Sequence, residues 1–119
     1  MPAVVDQFLT ARHRGDAYNC LHFSAEVWEA ETGEDLRDRL GGMLANATRH
    51  RRVVRDRVRT FEKLGRPQSP CLVSMHRHRG EPHIGVYLRG RVLHLADHGA
   101  EFTELEVATR GFDRVRFYR

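Results

Sequence analysis

Apolar positions recur with two different periods along the chain, and the change of period divides it. Val4, Val5, Phe8 and Leu9 stand at helical spacing, which predicts a short amphipathic helix over 3–13 that ends near Gly15. From Cys20 onward Cys20, Phe23, Val27 and Trp28 fall on one helical face, and Thr32-Gly33 supplies the C-terminal stop. Leu36, Leu40, Met43 and Leu44 predict a third helix over Glu34 to Leu44. Beyond Pro67 the texture becomes that of strands. Pro70 to Met75 reads as a buried strand, His83 to Leu88 as a second and Arg91 to Leu95 as a third, with Arg89-Gly90 as a two-residue turn between the last two. Glu101 to Val107 alternates and predicts a fourth strand; Val115 to Tyr118 predicts a last one. Helices first and a hairpin-linked sheet afterwards is the pattern of an α+β domain, N-terminal helices packed on a small antiparallel sheet.

The length, 119 residues, suits one domain spanning 1–119. Composition is that of a globular protein, 40% hydrophobic and 30% charged, and no apolar run approaches the ~20 residues of a membrane helix. Membrane insertion is therefore not expected. The opening MPAVVDQFLTARHRGD has no basic n-region followed by an apolar core, so no secretory signal is read there; synthesis in the cytoplasm is expected, with retention there or release by lysis or by a dedicated machine. Two cysteines, Cys20 and Cys71, are too few for a disulfide scaffold, and each needs its own explanation.

The net charge of +4 comes with a single lysine, Lys63, among many arginines. Such a surface favours approach to an anionic polymer without choosing among nucleic acid, lipid headgroups and a carboxylate-bearing cell wall. The arginine-dense run TRHRRVVRDRVR over 48–59 has no interleaved aromatics and matches no nucleic-acid motif, so a solvated or protein-docking face is expected and no nucleic acid is expected as partner.

The two cysteines differ in setting. Cys20 opens a predicted helix, where unpaired backbone N–H groups and the positive end of the helix dipole favour thiolate over thiol. The same N–H groups suit an oxyanion. Cys71 sits in an apolar strand and reads as an inert core residue. A nucleophilic cysteine needs a base, and the base an orienting partner. His83 begins one strand of the predicted hairpin and His94 ends the other, so pairing brings them to the same end. His83 reads as base and His94 as the residue that fixes its ring; a buried structural histidine is the competing account of His94. Two metal readings compete with this one: Cys20, His83 and His94 as zinc ligands, or His76 and His78 with His83 or His98. Neither has the paired spacing of most zinc sites.

Taken together, YNCLHFSAEVWEAETGEDL and PHIGVYLRGRVLH resemble the NlpC/P60 cell-wall peptidases, a branch of the papain-like cysteine peptidases. Their pattern is a cysteine that opens the central helix, a strand reading His-[Ile/Val]-Gly-[Ile/Val]-Tyr, and a polar residue, often histidine, at the end of the next strand. The likeness runs over residues 15 to 100 and is nearest to the short members encoded with bacteriophage tail genes, whose C-terminal ends GFDRVRFYR also resembles. Around the cysteine, secreted members usually read Asp-Cys-Ser-Gly, where this chain has Asn19-Cys20-Leu21-His22.

The resemblance implies a papain-like fold, Cys20 as nucleophile, His83 as base, His94 as orienting residue, and Tyr18 and Asn19 beside the substrate. It implies no cofactor. The implied substrates are peptidoglycan stem peptides, the implied location a virion tail, and the implied protein partners other tail-tip or baseplate components. A purely structural tail component and a toxin-like amidase delivered between cells are the alternatives.

Overall fold

The computed structural model describes residues 3–11, 20–36, 61–78 and 82–119. The elements are α1 (Ala3–Phe8), α2 (Cys20–Thr32), β1 (Lys63–Leu64), β2 (Cys71–His76), β3 (His83–Leu88), β4 (Arg91–Ala96), β5 (Gly99–Glu104), the one-turn α3 (Leu105–Ala108) and β6 (Arg114–Tyr118). Among the described residues six strands form one sheet in the order β1-β6-β2-β3-β4-β5. Every neighbouring pair is antiparallel. The chain is a small α+β domain, as the change of period predicts.

The sheet has two covered faces, and the alternation of each strand assigns its residues between them. Ile84, Val86 and Leu88 of β3, with Leu93 and Leu95 of β4 and Leu72 of β2, join Val5, Leu21, Phe23, Val27 and Trp28 in one core beneath α1 and α2. Val73, Met75 and Val92 face the other way and pack with Ala108 of α3, flanked by Tyr87, Leu105, Phe112, Val115 and Phe117. β2 is buried over Cys71 to Met75 because both of its faces are covered and both of its edges paired.

The hairpin takes the predicted form. Leu88 pairs with Arg91, and Arg89 and Gly90 both have positive φ, 50° and 90°, which is the twist a two-residue connection requires. α2 also starts and stops as expected: Gly33, with φ 81°, donates its N–H to the Glu29 carbonyl at 2.8 Å.

Three expectations need correction. α1 ends at Phe8 rather than reaching residue 13. Beyond it the Ala11 N–H reaches back only three residues to Phe8, and the Ala11 carbonyl accepts from Ala100 of β5, which draws the chain away from the helical path. Glu34 and Asp35 are not helical. The Glu34 N–H is taken by Thr32 Oγ1 and its carboxylate accepts from the Trp28 indole at 2.7 Å, so the residue closes α2 rather than opening a new helix. The remainder of that predicted helix, and the arginine run over 48–59, lie outside the described residues. Lastly, the alternating run Glu101–Val107 stays extended only to Glu104. The Leu105 N–H then donates to the Gly90 carbonyl, and Thr109 caps the Leu105 carbonyl with both its N–H and its hydroxyl, forming the single turn of α3.

Candidate functional site

Cys20 is the first residue of α2, whose first turn carries no acidic side chain. That is the setting that favours a thiolate. The residue is nevertheless 7% exposed and belongs to the core beneath α2. Cys71 is fully buried in β2, and burial pushes its thiol above the ordinary value, partly opposed by a hydrogen bond from the Gln68 backbone and by the Arg119 charge. Both thiols are buried; they differ in position, Cys20 at the head of a helix and Cys71 inside a strand.

The structure brings His83 and His94 together. Nε2 of His83 and Nδ1 of His94 are 2.8 Å apart, with the rings edge to face at 5.0 Å between centroids. The register explains the meeting. His94 pairs with Gly85, two residues on from His83, so the rings are diagonal neighbours on one face. The glycine leaves their path open. A Cβ at Gly85 would lie 2.7 Å from Val92 Cγ1, 3.0 Å from His94 Cβ and 3.2 Å from the Leu93 carbonyl oxygen. Gly85→Ala is therefore expected to cost about 1–3 kcal/mol of stability through overpacking. It is also expected to part the two rings, visible as loss of their mutual NOE contacts; an alanine variant that keeps both stability and contacts would contradict this account.

His83 is half-buried, and its ring lies parallel to that of Phe112, at 10° and 6.1 Å between centroids. The Arg77 guanidinium sits over the same Phe112 ring at 4.4 Å. His94 is buried, and its Nε2 has no hydrogen-bond partner among the described residues. Burial pushes His94 below the ordinary imidazole value; the Glu101 carboxylate works against that shift and His98 adds to it.

Sulfur and imidazoles approach the sheet from different sides. Cys20 shares a core with Ile84, Val86 and Leu93, whereas His83, Gly85 and Tyr87 alternate onto the opposite face with His94. Ser24, one turn after Cys20, donates from its hydroxyl to the Ile84 carbonyl at 3.3 Å. Ser24 is four residues, roughly 6 Å of axial rise, beyond the head of α2. Cys20 and His83 are assigned to opposite faces of the sheet, with His83 as the first residue of β3. Tyr18 and Asn19 lie outside the described residues.

Two other histidines, His76 and His98, have partners of their own. His76 Nε2 is 2.9 Å from Ser74 Oγ, and His98 Nε2 pairs with Glu101 Oε1 at 2.9 Å. Among the described residues no three His, Cys, Asp or Glu side chains form a group able to hold a metal ion.

Sequence reasoning missed Phe112, Glu101 and Gly85 as parts of this site. Gly85 and Glu101 were within reach, since counting register across the Arg89-Gly90 turn and the following Asp97-His98 turn sets both beside His94. Phe112 follows α3 in a connection no pairing rule governs, and nothing in the sequence marked it. In comparisons with known proteins, no protein-family model matches the chain, and neither does any curated protein.

Proposed function

We propose that the chain is a papain-like cysteine hydrolase of the NlpC/P60 kind that cleaves amide bonds in peptidoglycan stem peptides, carried by a bacteriophage tail and used during entry. The observation that carries this reading is the 2.8 Å pair of His83 and His94 at the opening of β3, with Cys20 as the first residue of α2. With Nε2 of His83 engaged by His94, its other ring nitrogen, Nδ1, is the one a thiol would use.

In this reading the Cys20 thiol passes its proton to His83 and the sulfur attacks the amide carbonyl. Backbone N–H groups at the head of α2 hold the oxyanion. The C–N bond breaks, His83 gives the proton to the leaving amine, and a thioester remains. Water, deprotonated by His83, attacks the thioester; the acid is released and the thiol restored.

The burial of Cys20 favours a second reading, in which the domain is a tail-tip or baseplate component that keeps a hydrolase architecture for assembly. One experiment separates the two. The protein is incubated with purified muropeptides and the products are read by mass spectrometry, while a parallel sample is labelled with a thiol electrophile at about pH 6, well below the ordinary thiol value of ~8.5. The enzyme reading expects new amine and carboxyl ends, and labelling of Cys20 much faster than of Cys71 that slows in His83→Ala. Intact muropeptides and equally slow labelling of both thiols would leave the assembly reading.

A further inference from the structure

We infer that Glu101 is a positioning residue that sets the tautomer of the His83–His94 pair. The inference rests on the proposed site only in what the tautomer is for; the arrangement itself stands on the structure.

A hydrogen bond between two neutral imidazoles holds one proton, and it can be held in two ways. In the first, His83 Nε2–H donates to His94 Nδ1. His94 then carries its own proton on Nε2, and His83 has a lone pair on Nδ1. In the second, His94 Nδ1–H donates to His83 Nε2. His94 Nε2 is then a bare lone pair, and His83 has its proton on Nδ1 and no basic nitrogen to offer. Only the first arrangement leaves His83 able to take a proton from a thiol.

What surrounds His94 Nε2 selects between them. That atom is buried and unpartnered among the described residues. Directly across the β4–β5 ladder from His94 is Glu101, on the same face and half-buried. An ionised carboxylate only accepts hydrogen bonds, and its field favours an N–H over a lone pair at the nearby nitrogen. One Glu101 oxygen pairs with His98 Nε2 at 2.9 Å. The titratable groups on the face of His94 and beside it are thus His83, Tyr87, Glu101 and His98; Met75, Val92 and Phe112 on the same face carry no titratable group. Thr103 Oγ1, opposite Val92, is also buried and unpartnered. A hydroxyl donates as readily as it accepts, so it selects neither tautomer.

The test is side-chain nitrogen-15 NMR of the histidines at about pH 8, above the ordinary imidazole value of ~6.5. The parent is expected to show both rings protonated at Nε2, with His83 Nδ1 as a bare lone pair. Glu101→Ala is expected to move His94 Nε2 toward the lone-pair signature. Glu101→Gln keeps an accepting oxygen and is expected to retain the parent pattern, while the protonation midpoint of His94 falls because the neighbouring negative charge is gone. The glutamine variant also serves where the alanine variant does not fold. An unchanged pattern in Glu101→Ala, an unchanged His94 midpoint in Glu101→Gln, or a tautomer that responds to Thr103→Val but not to Glu101→Ala would each overturn the assignment. None of these readouts needs catalysis, so they stand whether or not muropeptides are cleaved.

Discussion

Cys20→Ala is expected to abolish cleavage of stem peptides, with kcat falling by on the order of 10⁶, the loss seen when the nucleophile of such a constellation is removed. The size follows from the chemistry. Without the sulfur no thioester forms, and His83 has no acid to deprotonate except water, a far weaker nucleophile than thiolate. Stability should change little, by about 1 kcal/mol, because one buried atom is removed from a residue at the margin of the core. Cys71→Ala is the matched control: the same atom is removed from a fully buried strand residue, and cleavage should persist. Mass spectrometry of digested muropeptides and a thermal melt of each variant read both quantities. Cleavage by Cys20→Ala at the parent rate would remove the nucleophile from the mechanism, and with it the enzyme reading.

The ease with which parts of this arrangement can be read from sequence follows the range of the interactions that create them. The hairpin is local. Its turn, its alternation and the spacing of His83 and His94 fix the diagonal meeting of the rings once Leu88 is paired with Arg91. The start of α2 at Cys20 and its stop at Gly33 are local too, set by a periodic face and a residue tolerant of positive φ. What was not legible depends on distant partners. β6 enters between β1 and β2, where its residues Val115 and Phe117 meet Met75 and Val73 some forty positions earlier. No strand's own period announces its neighbour in the sheet. The same holds for Glu101 to Val107, whose alternation was real but was overruled at Leu105 by a hydrogen bond to Gly90. The faces matter most for function. Alternation alone says that His83 and Ile84 point oppositely, but which face α2 would cover was a tertiary fact. It makes the position of Cys20 relative to His83 a matter of how α2 is seated on the sheet.

That seating points to Phe23, and Phe23→Ala is expected to destabilise the domain more than Gly85→Ala or Cys20→Ala, by about 3–5 kcal/mol. Phe23 has no exposed surface and lies three residues after Cys20 on the buried face of α2. Its ring meets Phe8 edge to face, 5.7 Å between centroids and 83° between planes. α1 has six residues, too few to hold a helix without tertiary packing, so the contact on which it rests is this aromatic pair together with Val4 and Val5 in the same core. Truncation leaves a cavity under the first turn of α2 and removes the anchor of α1 at once. Against a total stability of about 5–15 kcal/mol for a domain of this kind, the loss is a large share. Urea unfolding of parent and variant measures it through the change in midpoint at constant slope. The consequence reaches the chemistry, because a collapse of the helix head into that cavity moves the Cys20 sulfur. Electrophile labelling of Cys20 should therefore lose its dependence on His83 in Phe23→Ala under conditions where the variant is still folded. A loss below about 1 kcal/mol, with Cys20 reactivity unchanged, would mean that something other than Phe23 holds the head of α2 against the sheet.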